Sequence, residues 1–140
     1  MTEVRSGELL YEDAVRVAHY KRDVRLQQPG LDLTARELRA FLREPRQNPV
    51  PEGQSNLERA TADGDVKIIQ KDAERTRTGL GEHVEYYVSE EKVVLSGGRP
   101  RMVDSVRGTA QGDELTYFAN SDKLIIDGAE SRPAVSRLAR

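Results

Sequence analysis

Apolar and polar positions alternate in short bursts through the second half of the chain. "DVKIIQ", "HVEYYV", "KVVLS", "ELTYFA" and "KLIID" are rich in β-branched and aromatic residues, and Gly, Asp, Asn and Ser bound them. This is the signature of short strands, too closely punctuated for helices. Four of these bursts make a repeat. "GEHVEYYVSEEKVVLSG" at 81–97 and "GDELTYFANSDKLIIDG" at 112–128 align without a gap at an offset of 31 residues, sharing Gly81/Gly112, Tyr86/Tyr117, Lys92/Lys123 and Gly97/Gly128. Repetition at this period predicts stacked units that bury one another's faces. Each copy reads as a hairpin turning at "SEEK" or "NSDK". Closing the first turn on Glu90 and Glu91 sets Val88 opposite Val93, Tyr86 opposite Leu95 and Val84 opposite Gly97. The second copy then sets Ala119 opposite Leu124 and Tyr117 opposite Ile126, so both hairpins present an apolar face. "PRMVDSVRGTAQG" at 100–112 is expected to supply one further strand between them.

The N-terminal block alternates in pieces, with Leu9/Tyr11, Val15/Val17 and Val24/Leu26, and "PG" at 29 and 30 marks a turn. Residues 34–43 read two ways. Thr34 and Glu37 have capping-box spacing, and Ala35, Leu38, Phe41 and Leu42 recur at helical intervals. Leu31, Leu33 and Ala35, then Leu38, Ala40 and Leu42, instead fit two strand segments with a break between them. Three prolines in "EPRQNPVPEGQSN", residues 44–56, predict a loop. The end, 132–140, has no partner pattern and is expected to be a flexible tail. "GLG" at 79–81 and "SGG" at 96–98 read as turn glycines.

Composition narrows the shape. A chain of 140 residues suits one domain, and Val, Leu, Ile and Phe make only 32 of them, so the core is thin. The formal charge of -2 gives no reason to expect nucleic acid. The charge is unevenly spread: residues 14–46 carry eight Lys/Arg against four Asp/Glu, and residues 80–131 carry five against ten. That spread is either two solvated surfaces or a basis for end-to-end pairing of copies. Zero cysteine excludes disulfides and thiolate metal sites. His19 and His83 have no second ligand at metal spacing, and no nucleophile motif or phosphate-cradling glycine loop occurs. Glu90/Glu91 and Asp113/Glu114 fall at predicted turns, where solvated carboxylates do not acquire catalytic pKa values. No enzyme, metal or cofactor is therefore expected. The apolar face is either plain core or, in a sheet with few large side chains, the wall of a groove suited to a lipid chain.

Two stretches carry a family resemblance: "ATADGDVKIIQKDAERTRTGLGEHVEYYVSEEKVVLSGGRPRM" and "GTAQGDELTYFANSDKLIIDG". In order, Gly64, Val66 and Ile68, then Val84 and Tyr86, then Val93, Leu95, Gly97 and Pro100, then Gly112, Leu115 and Tyr117 fit the pattern of the LptA/OstA-like family. "YEDAVRVAHYKRDVRLQQPGLDLTARELRAFL" resembles the preceding repeat, so the likeness covers roughly residues 6–131. It departs at Asp23, where a tight-turn glycine or asparagine is usual, and in the enlarged loop at 44–56. The resemblance implies an all-β fold, an open β-jelly-roll of stacked antiparallel strands and hairpins, in a single domain over 1–131. It further implies a periplasmic, non-enzymatic carrier of lipopolysaccharide, whose export signal is absent from this chain. Acyl chains of lipopolysaccharide or lipid A would lie against Val66, Ile68, Val84, Tyr86, Val93, Leu95, Leu115, Tyr117, Leu124 and Ile126. Partners would be other transport components, or copies of the chain joined through edge strands. The alternative is a structural β-repeat module that assembles by edge pairing and binds no lipid.

Overall fold

The structure, a computed structural model, describes residues 3–43, 57–128 and 134–138. The loop read at 44–56 lies outside the described residues. Among the described residues twelve strands follow one another: β1 (Glu3–Arg5), β2 (Glu8–Glu12), β3 (Val17–Gln28), β4 (Leu31–Leu42), β5 (Leu57–Lys71), β6 (Thr76–Tyr87), β7 (Lys92–Ser96), β8 (Arg101–Asp104), β9 (Gly108–Gln111), β10 (Glu114–Phe118), β11 (Lys123–Asp127) and β12 (Val135–Leu138). All pairings are antiparallel.

The four long strands β3 to β6 share one line of register shifts, and β4 and β5 have a further one at Phe41/Leu42. Registers shift between Lys21 and Val24, between Thr34 and Glu37, and between Asp63 and Val66. At these points Arg22 and Asp23 oppose Arg36 alone, and Gly64 and Asp65 oppose Glu82 alone, which is the two-against-one pattern of β-bulges. Asp23 thus sits at φ 51 in a bulge and not in a turn. Gly64 has φ 85, and a Cβ there would stand 2.8 Å from Arg36 Cδ, so only glycine suits the inside of this bend. The bulges lie side by side and form one crease across the sheet.

Two layers meet at that crease. The first contains β2, the outer parts of β3 to β6 (17–21, 37–42, 57–63 and 83–87), β7, β10 and β11. The second contains β1, the remaining parts of β3 to β6 (24–28, 31–34, 66–71 and 76–81), β8, β9 and β12. Because the pleat alternates sides, the phase of burial shifts by one in β4 and β6, opposite the bulges, while the bulged strands β3 and β5 keep theirs. In β4, Leu31, Leu33 and Ala35 are buried before the bend, and Leu38 and Ala40 after it. This settles residues 34–43 as strand: helical spacing was an accident of two β phases joined at a bulge.

The hairpins form as expected but two residues out of the expected register. Val84 faces Leu95 and Tyr86 faces Val93, while Leu115 faces Ile126 and Tyr117 faces Leu124. The turns are longer than the two residues assumed, with the Glu91 N–H donating to the Val88 carbonyl at 3.2 Å and both Glu91 and Asp122 left-handed at φ 48 and 54. A two-residue slip preserves the faces, so the inward residues are unchanged.

Three other expectations are corrected. Residues 100–112 make two strands, β8 and β9, so the unit that begins with the first copy lays one hairpin in each layer. Gly79 and Gly81 lie inside β6 and are not turn residues, whereas Gly97 and Gly98, at φ 73 and 65, are. Within the expected tail, Val135–Leu138 pairs with β9, with all four side chains exposed.

Candidate functional site

Among the described residues the buried apolar side chains lie between the layers. Among the described residues no polar or charged residue is fully buried. Small side chains (Ala18, Ala40, Ala60, Ala62) and leucines (Leu26, Leu33, Leu38, Leu95, Leu115) share the interior in one continuous cluster. Gly79 explains how the layers come so close: a Cβ on it would meet Leu95 Cδ1 at 2.7 Å and Ile68 Cγ2 at 2.8 Å. Protein side chains therefore fill the middle of the interior.

Of the ten residues assigned from sequence, Val66, Ile68, Val84, Val93, Leu95, Leu115 and Tyr117 are buried in that cluster. Tyr86 and Ile126 are half-buried against it. Leu124 is 38 % exposed, because it stands at the C-terminal mouth where the facing layer stops covering its own. A cavity of about 140 Å³ opens there, lined by Met102, Ala110, Tyr117, Leu124 and Leu138 with Arg77, Asp104, Arg107 and Asp122 at its polar side. Small-molecule pockets generally occupy about 300–1,000 Å³, so the layers must part before a long acyl chain fits.

Opposite the crease, the contacts that cross the seam between the layers are made by side chains among the described residues. Asp122, in the β10–β11 turn of the first layer, pairs with Arg75 and Arg107 from turns of the second. Arg77 Nη1 lies 3.8 Å away, and the Tyr117 hydroxyl donates to Asp122 Oδ1 at 2.8 Å. The Arg77 guanidinium stacks over the Tyr117 ring at 4.7 Å. Burial pushes the Asp122 carboxyl up, but hydrogen bonds from Tyr117 and Arg75, with the nearby arginine charges, hold it below its ordinary range. Burial and the bond to Asp122 push the Tyr117 phenol up to about 12, so it remains a donor. Burial also works against the Arg75 charge, and Asp122 and Asp104 more than restore it. Farther along the seam, Tyr86 hydrogen-bonds Gln28 of the other layer.

Sequence reasoning missed this cluster. The available signal was Arg77, in phase with the inward Gly79 and Gly81 on β6, since a charge at an inward strand position demands partners. The histidines do form contacts of their own. His83 Nδ1 is 2.6 Å from Asp63 Oδ1, and His19 Nε2 is 3.7 Å from Glu37, beyond hydrogen-bond reach. No group of His, Cys, Asp and Glu suited to a metal ion occurs among the described residues.

Two creased antiparallel layers with unclosed edges define an open β-jelly-roll. The chain belongs to the LptA/(LptD N-terminal domain) family of lipopolysaccharide transport proteins, whose model matches residues 3–123. Its fold is that of LptH from Pseudomonas aeruginosa, described as the LptA-homologous periplasmic component of the conserved lipopolysaccharide transport device: the TM-score is 0.80 at 19 % identity, over 100 % of this chain and 94 % of that one. Among curated proteins none matches at significant sequence similarity.

Proposed function

We propose that this chain is a non-enzymatic carrier that moves lipopolysaccharide through the periplasm, with acyl chains sheltered between its two layers. The observation that carries this reading is an apolar interior joined by backbone along the crease and by separable side chains along the seam. Such a body can open on one side without unfolding. Burial of acyl surface at about 25 cal/mol per Å² supplies affinity with no cofactor. The wall consists of Val66, Ile68, Val84, Tyr86, Val93, Leu95, Leu115, Tyr117, Leu124 and Ile126. Leu124 and Ile126 lie at the mouth and are the first apolar residues an entering chain meets.

Its partners are lipopolysaccharide and other components of the transport system or copies of itself. The edges support that part of the reading. β1 and β2 at one end, and β11 and β12 at the other, each have a single strand partner among the described residues. Leu9, Leu10 and Tyr11 at the first end, and Ile125, Val135 and Leu138 at the second, are exposed. An uncovered edge with apolar side chains is a template for another strand.

A photo-crosslinker at Tyr86 or Leu124 is expected to label lipopolysaccharide far more than one at the solvent-facing turn residue Glu90. Equal labelling at the three positions would remove the inter-layer site. If the chain forms concentration-dependent oligomers but yields no lipid in mass spectra after purification, the edge-pairing module without lipid is the correct reading.

A further inference from the structure

Asp122 is surrounded by more donors than it can use. Arg75 Nη2 bonds its Oδ1 and Arg107 Nη2 its Oδ2, and Arg77 waits at 3.8 Å. Each guanidinium offers five N–H donors, and a carboxylate offers two oxygens. Arg77 Nε is buried with no hydrogen-bond partner, although its side chain is only 12 % exposed. Two other carboxylates stand nearby, Asp104 at 3.6 Å from Arg75 and Asp72 at 3.8 Å from Arg77. Each gives its Oδ1 to its own turn and keeps Oδ2 toward the arginine, beyond hydrogen-bond distance. Asp104 accepts from the Val106 and Arg107 N–H groups, and Asp72 from those of Glu74 and Arg75.

We propose that Arg75, Arg77 and Arg107 form a phosphate-monoester site at the mouth of the inter-layer cavity, filled in this closed form by the Asp122 carboxylate. A phosphate monoester carries about 1.5 to 2 negative charges and three terminal oxygens, which suits three planar guanidinium forks better than one carboxylate does. Asp122 is the replaceable partner. It belongs to a turn followed by β11, which among the described residues pairs only with β10. The ion pairs from this turn to the facing layer all run through that carboxylate among the described residues. Displacing it therefore frees the first layer at the mouth, beside Met102, Ala110 and Leu124. An amphiphile whose phosphate adjoins its acyl chains would bind and open the seam in the same event. The amphiphile's identity as lipopolysaccharide rests on the carrier reading above.

The test measures binding of the full chain to lipid A bearing its phosphates, to the same lipid A after phosphatase treatment, and to inorganic phosphate alone. Wild type is expected to hold the phosphorylated lipid at least about ten-fold tighter, the factor one charge-assisted hydrogen bond supplies. Arg107→Gln, at an exposed position, and Arg77→Gln should lose that preference, so that each variant binds the phosphorylated and the dephosphorylated lipid alike. Arg77→Lys should restore part of it, and circular dichroism melts check that each variant is folded. Inorganic phosphate should shift the Arg77 Nε–H resonance and compete only with the phosphorylated lipid. Equal affinity of wild type for both lipids, with no shift by phosphate, overturns the site and leaves the carrier reading intact. A phosphate shift without lipid preference assigns the site to the free anion and overturns the headgroup. If neither lipid binds, the carrier reading falls, and the phosphate shift alone decides whether the arginines bind an anion.

Discussion

The two halves of this jelly-roll are closed by different means. In the N-terminal half β3 to β6 run through both layers, so the same backbone belongs to each wall and the crease is covalent. In the C-terminal half β7 to β12 are four- and five-residue strands that belong to one layer or the other. There the layers are connected by short crossings at the crease and by Asp122 at the seam. One fold thus has an end whose layers share continuous strands and an end whose layers meet across the seam through ion pairs. The carrier reading places lipid entry at the second.

The largest expected effect breaks the end with continuous strands. Leu38→Ala, at a site 1 % exposed in β4, should cost about 2–5 kcal/mol, read as a lower denaturation midpoint at unchanged slope. A cost below about 1 kcal/mol would mean that the bent strands do not hold the core. Gly79→Val probes the boundary between the halves. Its new methyl groups collide with Leu95 and Ile68, so a loss of about 1–3 kcal/mol is expected, with hydrogen exchange accelerated in β7 as the layers are wedged apart.

Asp122→Asn isolates the seam. Its ion pairs are partly exposed, so global stability should change by no more than about 1 kcal/mol. Amide exchange in β10 and β11 should nevertheless quicken while β4 stays protected. Uniform change across both halves would contradict a separable end.

Acid sharpens the same contrast. Since the folded Asp122 carboxyl lies below its ordinary value, its contribution is complete above about pH 4 and is lost as pH falls through the folded value. Asp32, held low by its hydrogen bond from Arg25, gives the N-terminal half a comparable titration within a single layer. Opening below about pH 4 should therefore appear at β10 and β11 in wild type and be absent there in Asp122→Asn. Tyr117 has the opposite sign. Its folded value of about 12 lies above the unfolded one near 10, so its contribution is complete below that and disappears as pH rises toward 12. The smallest effect is Leu124→Ala, within about 0.5 kcal/mol in melting because the side chain is 38 % exposed at the mouth, yet expected to reduce lipid labelling there.

Much of this was legible where sequence and backbone share a period. The five alternating bursts became strands, and parity carried the inward set through even though the turns were two residues longer than assumed. The first half of β5, "LERATAD", was missed because alternating alanines give little strand signal. Those alanines are inward, where their small size lets the layers approach. Residues 34–43 looked helical because a bulge shifts a period of two in mid-strand, a change no local window distinguishes from a period near 3.6. The seam cluster was invisible for another reason. Arg75, Arg77, Arg107 and Asp122 are far apart in sequence, and only the facing of two layers brings them together.

The alternation of hairpins between layers has a metric consequence. The complete 31-residue unit, 81–111, adds two strands to each wall. At about 4.8 Å between neighbouring strands, one unit lengthens the body by roughly 10 Å without altering its cross-section. The chain is in effect a ruler graduated in repeats, so distance spanned is set by repeat number while the shape of the slot stays constant along it.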